Sequence, residues 1–313
     1  MNTTAFKNAD ILIPKNEDMH KWSVIACDQY TSEPEYWNTV NKIVENAPST
    51  LNLILPEIYL EDNGVSESID NIHAAMDKYI SDGVFEEYKN AMVYVERIQS
   101  NGILRQGVVG AIDLEEYDFS KGSTSQVRAT EATVIERIPP RIKVRQGASL
   151  ELPHIMILID DPDNTVIEPL KNSDMKKLYD FELMQGGGSI KGYLLDEQAQ
   201  EKINSALCKL AGNINDDILL FAMGDGNHSL ATAKEFYEQL KKANPDKDFS
   251  NHPARYALVE IVNLYSKALE FEAIHRLVYD VDCDKLVSEL TTALELSEDK
   301  VSDQYIIMSY NDT

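Results

Sequence analysis

The residues best suited to chemistry stand in one run, FAMGDGNHS, which occupies positions 221–229. An apolar stretch typical of a buried strand leads into Gly224 and Gly226, and a helical pattern follows at once. Glycines allow positive φ and close backbone approach, and the first N–H groups of a helix attract an anion. The run therefore predicts a strand, a phosphate-binding turn and a helix.

The polar side chains of this run suit the same chemistry. His228, in the first helical turn, can bind a phosphate oxygen or move a proton, and Asp225 can bind Mg²⁺ or orient a nucleophile. Asn227 and Ser229 would complete the phosphate cradle. The alternative is that Asp225 and Asn227 only cap the helix while the glycines form a tight turn. Walker and Rossmann fingerprints are absent, so the sequence gives both interpretations about equal weight.

A second candidate is a concentration of positive charge between Lys121 and Gly147. Six basic residues stand there against two acids, Glu131 and Glu136, in a chain whose net charge is -24. Such a cluster favours a site for a small anion, with Glu131 as a base or metal ligand, although a solvated face with surface ion pairs is the alternative. The basic residues are Lys121, Arg128, Arg137, Arg141, Lys143 and Arg145.

Three weaker candidates complete the set. Lys191 lies in the glycine-rich segment 185–192, which can close over a phosphate but is more often a simple hairpin. Asp28 follows an apolar run, next to Cys27, where either a catalytic carboxylate or ordinary turn chemistry fits. Arg255 adds a further cation, which we interpret as structural by default.

Composition narrows the classes of function. The chain has 313 residues, with 29 Lys and Arg against 53 Asp and Glu, and this acidity disfavours general binding of DNA or RNA. The N-terminus lacks the apolar stretch of a signal peptide, and no run is long enough to span a membrane, so we expect a cytoplasmic protein. Three distant cysteines and the absence of CxxC or HExxH spacing argue against disulfides and a structural metal.

Periodicity predicts an α+β fold with a mixed, largely antiparallel central sheet flanked by helices. Two helices are expected between residues 33 and 82, and a β-hairpin around the Asn-Gly at 101–102. We expect a mainly helical region over 1–90 and a mixed α/β domain over 91–313. The end of the chain so soon after an apolar strand suggests truncation. The remaining predicted strands are 133–138, 155–159, 165–167, 218–223, 271–279 and 304–310. The remaining predicted helices are 196–211, 229–242, 255–264 and 284–294.

Five segments together resemble the family called domain of unknown function 1015. They are residues 26–30, 128–145, 185–193, 224–229 and 253–257. The family is similar to a distant branch of the ParB and sulfiredoxin superfamily, in which a turn at a helix start binds nucleotide phosphates. The resemblance also implies a setting in serine biosynthesis, because members are often encoded beside enzymes of that pathway.

Two departures limit what the resemblance implies. Asn227 stands where sulfiredoxin has its reactive cysteine, and Ser229 where an arginine is usual, which argues against sulfinic-acid reduction. Acidic residues such as Glu235 and Glu238 follow the turn, which argues against a DNA clamp. The free-serine kinases of the superfamily remain the better comparison.

These observations give two hypotheses. The first is an enzyme that binds ATP or ADP with Mg²⁺ and transfers a phosphoryl group in serine or phosphoserine metabolism. In it Gly224, Gly226, Asn227 and Ser229 hold phosphate, and His228 or Glu131 accepts the hydroxyl proton. The second is a non-catalytic nucleotide-binding regulatory module of ParB-like type. Expected partners are a nucleotide or small phosphorylated metabolite, without nucleic acid or membrane, and a homodimer is an open option. The residues assigned to neutralise phosphate are Arg128, Arg137, Arg141 and Lys191.

Overall fold

A computed structural model gives the fold of the chain. It describes residues 4–27, 30–59, 64–131, 138–152, 155–212, 218–270, 278–297 and 307–309. The chain divides into two compact units, Met1–Leu269 and Glu270–Thr313. The division falls far from residue 90, and the N-terminal region belongs to the first unit. No helix in the ranges above is long and apolar enough to cross a membrane.

Strands and helices alternate irregularly along the first unit. Its strands are β1 Phe6–Lys7, β2 Ala9–Pro14, β3 Phe85–Ala91, β4 Val93–Ile98, β5 Leu104–Asp113, β6 Tyr117–Asp118, β7 Val127–Arg128, β8 Ile155–Ile159, β9 Lys176–Glu182, β10 Ser189–Leu194, β11 Phe221–Asp225 and β12 Tyr256–Asn263. Its helices are α1 Met19–Trp22, α2 Pro34–Val44, α3 Val65–Ser81, α4 Ile138–Arg145, α5 Glu197–Ala211 and α6 Asn227–Ala243. In the second unit, α7 spans Cys283–Ala293.

Ten of these strands form one mixed sheet. Its order is β6-β7-β11-β8-β12-β5-β4-β10-β9, and β1 pairs with β5 outside this path. Three pairs are parallel, namely β6 with β7, β7 with β11, and β8 with β12; the other pairs of the sheet are antiparallel. Strands β2 and β3 form a separate antiparallel pair. The predicted mixed, mostly antiparallel sheet with flanking helices is confirmed at this level.

The main core lies on one face of this sheet. Strand side chains such as Tyr94, Ile157 and Phe221 are almost fully buried there, and α5 and α6 add their apolar faces through Leu207 and Leu230. Smaller apolar clusters form around α3 with Trp22, around α2, and on the opposite sheet face beside β2. The sheet therefore has a well-covered face and a second face whose cover is assembled from several segments.

Local signals located many elements correctly. Helices α2 and α3 lie in the predicted interval, and β4 and β5 form the hairpin predicted from Asn-Gly. Strand β8 and helices α5, α6 and α7 match their predicted segments within a few residues, and β11 overlaps the predicted strand 218–223. These elements combine periodic apolar residues with a cap or a turn signal, so their local preference agrees with the tertiary structure.

Three element predictions were wrong within the described ranges. Residues 255–264, expected to be helical, form β12, because that segment pairs with β5 on one side and β8 on the other. Residues 165–167 are a loop in which the Thr165 and Val166 amides donate to the Asp161 carboxylate at 2.6 and 2.8 Å. Ile138 begins α4 rather than ending a strand. Residues 133–137, 271–277, 304–306 and 310 lie outside the described ranges.

Candidate functional site

The predicted strand, turn and helix are present as β11, Gly226 and α6. Gly226 has a φ of 86°, in the left-handed region that favours glycine. A Cβ on Gly226 would lie 3.2 Å from the Ile155 Cα, and one on Gly224 would lie 2.9 Å from Leu158 Cγ. Both glycines are therefore required for close packing against β8, and Gly226 also for its backbone conformation.

Helix α6 begins without a side-chain cap. The Gly226 carbonyl accepts from the Ser229 and Leu230 N–H groups, each at 3.0 Å, and the Gly226 N–H donates to Asp225 Oδ1 at 2.7 Å. Gly226 therefore occupies the N-cap position, and Asp225 accepts from the Gly226 N–H rather than from a helical N–H. The tight glycine turn of the alternative interpretation agrees with this geometry.

Asn227 carries the most unusual polar group at the turn. The residue is only 7% exposed, and its Nδ2 donates to Glu131 Oε1 at 3.2 Å. Its Oδ1 is buried and accepts no hydrogen bond from the part of the chain that the structure describes. Leaving a buried acceptor unpaired costs about 1–3 kcal/mol, so such an atom is typical of a place where a small molecule or water completes the structure.

The basic segment meets the turn at Arg128 and Glu131. Arg128 lies on β7 opposite Ala222 of β11, and its Nε donates to the Ser125 carbonyl at 2.7 Å. The Thr130 hydroxyl donates to the Met223 carbonyl at 2.9 Å, which fixes this segment beside the end of β11. Sequence reasoning missed Thr130, although its place between Arg128 and Glu131 was a usable signal.

The other residues of the turn remain accessible. Gly224 and Asp225 are exposed, and His228 and Ser229 are half-buried in the first turn of α6. The His228 carbonyl accepts from the Thr232 hydroxyl at 2.6 Å. The structure therefore brings His228 and Asp225 to the same turn as the Asn227 and Glu131 pair.

Another arginine of the basic segment, Arg141, already has a carboxylate partner. Arg141 lies on α4, which packs against α6, and its Nη2 donates to Glu57 Oε1 at 2.7 Å. This ion pair compensates the charge that the sequence assigned to phosphate. Arg137 and Asp28 lie outside the described residues.

Two predicted cations are not brought to the turn. Lys191 lies on β10, separated from β11 by four strands, and forms an ion pair with Asp180 at 3.4 Å. Arg255 lies beside the C-terminal half of α6, where its Nε and Nη2 donate to the two carboxylate oxygens of Asp113 at 2.8 and 2.6 Å. These hydrogen bonds raise the pKa of Arg255 above its ordinary value. The default structural interpretation of Arg255 agrees with this pairing.

Two cavities lie away from the turn. A cavity of about 280 Å³ adjoins Arg255, Lys241 and Phe249, and a larger one of about 840 Å³ lies beside α3. Neither cavity is lined by residues of the turn itself. Among the residues that the structure describes, no group of three or more His, Cys, Asp or Glu could hold a metal ion. Any Mg²⁺ at the turn would therefore depend largely on ligands from a bound phosphate, as is usual for this ion.

Comparisons with known proteins identify the family. No curated protein and no solved structure matches the chain. The model of one family, described as a protein of unknown function (DUF1015), matches residues 9–313. Because this match covers nearly the whole sequence, the chain belongs to the DUF1015 family.

Proposed function

We propose that the turn between β11 and α6 binds the phosphate groups of a nucleotide, and that the chain is a phosphotransferase acting on a small metabolite. The single observation that carries this proposal is the buried Asn227 in the first turn of α6, whose Oδ1 accepts no hydrogen bond from the residues that the structure describes. The N-terminus of a helix of this length attracts negative charge through its N–H groups and its dipole.

Around this turn the described side chains support separate roles. Arg128, on the neighbouring strand, supplies positive charge. Asp225, whose carboxylate is exposed, would bind Mg²⁺ held by the phosphates, and that ion would neutralise charge during transfer. His228 or Glu131 would accept the proton of an acceptor hydroxyl. The assignment of serine or phosphoserine as the metabolite, and of ATP or ADP as the nucleotide, comes from the family resemblance alone.

The likeness to ParB and sulfiredoxin also belongs to this proposal. It rests on the order strand, glycine turn and helix with Asn227 and His228 at the helix start. Phosphoryl transfer demands positioning and charge neutralisation rather than covalent participation of the protein, and a rigid turn beside an arginine fits that demand.

Thermal unfolding of the purified chain tests the binding step. The ligands are ATP, ADP, CTP, pyrophosphate, serine and phosphoserine, each with and without Mg²⁺. A ligand at 100 times its dissociation constant adds about 2.7 kcal/mol of stability. We expect a nucleotide or pyrophosphate to raise the melting temperature, and Asn227→Ala to remove that rise. The matched control is Asn244→Ala at the C-terminal end of α6, which should keep it.

Turnover then separates the two kinds of function. We monitor transfer of the phosphoryl group by ³¹P NMR. If His228 is the base, His228→Ala should abolish the transfer, while nucleotide binding persists. Saturable binding without turnover over hours would instead favour the non-catalytic regulatory module. If no phosphate compound shifts the unfolding of the unmodified chain, the proposed phosphate site is wrong.

A further inference from the structure

A pair of arginines lies on the sheet face opposite the main core. Arg97 of β4 and Arg105 of β5 are direct partners in the antiparallel register, so their side chains share one face. Glu260 of β12 joins them, because Arg105 Nη2 donates to Glu260 Oε2 at 2.9 Å. Between them lies Gly107, where a Cβ would collide with the Glu260 carboxylate. We call Arg97, Arg105 and Glu260 the arginine cluster.

Charge in this cluster is unbalanced among the described residues. Like charges directly opposite each other on neighbouring strands are destabilising, and one carboxylate cannot neutralise two guanidinium groups. The side chains of Arg105 and Glu260 are only 19% and 17% exposed, so solvent and salt screen them weakly. Burial, followed by the charge of Arg105, lowers the pKa of Arg97 below its ordinary value. Among the described residues, the cluster therefore carries an excess of positive charge at a place that solvent reaches poorly.

Hydrogen bonding at the cluster is also incomplete. Arg105 Nε, Glu260 Oε1 and Gln99 Oε1 are buried and have no hydrogen-bond partner among the residues that the structure describes. Gln99 follows Arg97 by two residues and stands directly after the end of β4. One donor and two acceptors therefore lack partners, at a cost of about 1–3 kcal/mol each. A molecule that carries both an acceptor anion and a donor group would satisfy both kinds of atom.

Two further segments converge on the arginine cluster. Arg97 Nη2 donates to the Gly187 carbonyl at 3.1 Å, in the glycine-rich segment 185–192. A Cβ on Gly187 would collide with Ile25 Cδ1, so the segment before Cys27 packs directly on this loop. Cys27 and Tyr30 lie close enough to Arg97 to act on its pKa. Segments that the phosphate turn does not use thus meet at the cluster.

We propose that the arginine cluster is the binding site for a small organic acid that carries an ammonium or hydroxyl group beside its carboxylate, that is, an α-amino acid or an α-hydroxy acid. The carboxylate would lie between Arg97 and Arg105, and the ammonium or hydroxyl group would donate to Glu260 and Gln99. This site does not depend on the turn between β11 and α6. Its failure would leave the proposed phosphate site unaffected.

Calorimetric titration of the full chain tests this proposal. The probes are the standard protein amino acids, each used singly, with lactate and glycerate as hydroxy acids. Three control ligands carry only part of the required chemistry. Acetate and inorganic phosphate supply an anion without an ammonium group, and ethanolamine supplies an ammonium group without a carboxylate. We expect saturable binding of at least one amino or hydroxy acid, with affinity weakened about tenfold or more in Arg97→Gln, since the variant loses a hydrogen bond to a charged group. Glu260→Gln should weaken the affinity for an amino acid by a similar factor.

Two control variants make the result specific. Arg145→Gln breaks the ion pair with Glu151, whose two side chains are 21% and 31% exposed, outside the cluster, and should leave binding unchanged. Asn244→Ala, at the C-terminal end of α6, should leave it unchanged as well, because that residue belongs to neither proposed site. Thermal unfolding of each variant shows whether it is folded.

Three results would overturn the proposal. The first is the absence of saturable binding for every amino and hydroxy acid. The second is equal affinity in the unmodified chain and a folded Arg97→Gln variant. The third is binding of acetate or phosphate as tight as that of the best amino or hydroxy acid, which would show that Glu260 and Gln99 do not contribute to binding of an ammonium or hydroxyl group.

Discussion

At the turn between β11 and α6, Gly226 has two separate reasons to be glycine. One is its left-handed backbone conformation, and the other is its close approach to the Ile155 backbone. Gly122 shares the first reason, with a φ of 83°, but has open space around it. The two positions therefore allow backbone strain and packing to be measured separately.

We predict that Gly226→Ala destabilises the chain more than Gly122→Ala. The left-handed conformation costs each alanine about 1–2 kcal/mol, and Gly226→Ala adds the contact with the Ile155 Cα at 3.2 Å. Urea unfolding of both variants measures the two free energies of unfolding. Equal losses would mean that β8 moves aside without cost.

Among the elements, helix α5 shows how a local signal defines a helix start. Asp196 accepts from the Ala199 N–H at 2.8 Å, as expected of a cap residue, and the apolar face behind it enters the main core. Helix α6 lacks such a cap and begins at a glycine. Helix α3, which has the same length of 17 residues, also begins at a glycine without a side-chain cap, so a side-chain cap is not required for a helix start in this unit.

For the cap of α5 we expect Asp196→Ala to reduce the free energy of unfolding by about 1 kcal/mol, whereas Asp196→Asn should change it by only a few tenths. Asparagine keeps the side-chain oxygen that accepts from Ala199, and alanine does not. Denaturant unfolding at neutral pH distinguishes the two variants. Equal losses in both would show that the negative charge, rather than the hydrogen bond, stabilises this helix start.

Strand β12 shows the opposite case, in which local preference was misleading. Its apolar residues suggested a helix, but it lies between β5 and β8 near the middle of the sheet. Only as a strand does the segment present Ala257, Val259 and Ile261 to the core, with Glu260 on the other face. The arginine cluster therefore depends on this pairing and could not be found from spacing along the chain.

Considered as a whole molecule, the chain carries a net charge of -24, which opposes its own compaction. Some of this charge is locally compensated, as in the Asp113 and Arg255 pair or between Glu115 and Lys241. Such pairs do not change the excess of 24 negative charges, so long-range repulsion should respond to ionic strength.

We predict that raising NaCl from about 10 mM to about 150 mM stabilises the protein, because the screening length falls from about 30 Å to about 8 Å. The melting temperature should rise by roughly 2 °C or more, which corresponds to about 1 kcal/mol for a chain of this size. Repeating the series with KCl controls for specific ion binding. A fall in the melting temperature would show that ion pairs contribute more than net repulsion.

By itself the sequence determined the features that short-range physics controls. Periodicity located α2, α3 and α6, periodicity with the Asp196 cap located α5, and the Asn-Gly pair located the hairpin of β4 and β5, because each depends on residues close together in the chain. The glycine turn with His228 was predicted in the same way. Net charge alone disfavoured general nucleic-acid binding.

Only the tertiary structure decided which distant residues meet. It placed Glu131 against Asn227, engaged Arg141 with Glu57, and kept Lys191 four strands from the turn. It also paired Arg97 with Arg105 and brought Glu260 to them. The physical reason is that strand order and register arise from burial of the whole sheet, and no short segment of sequence encodes that balance.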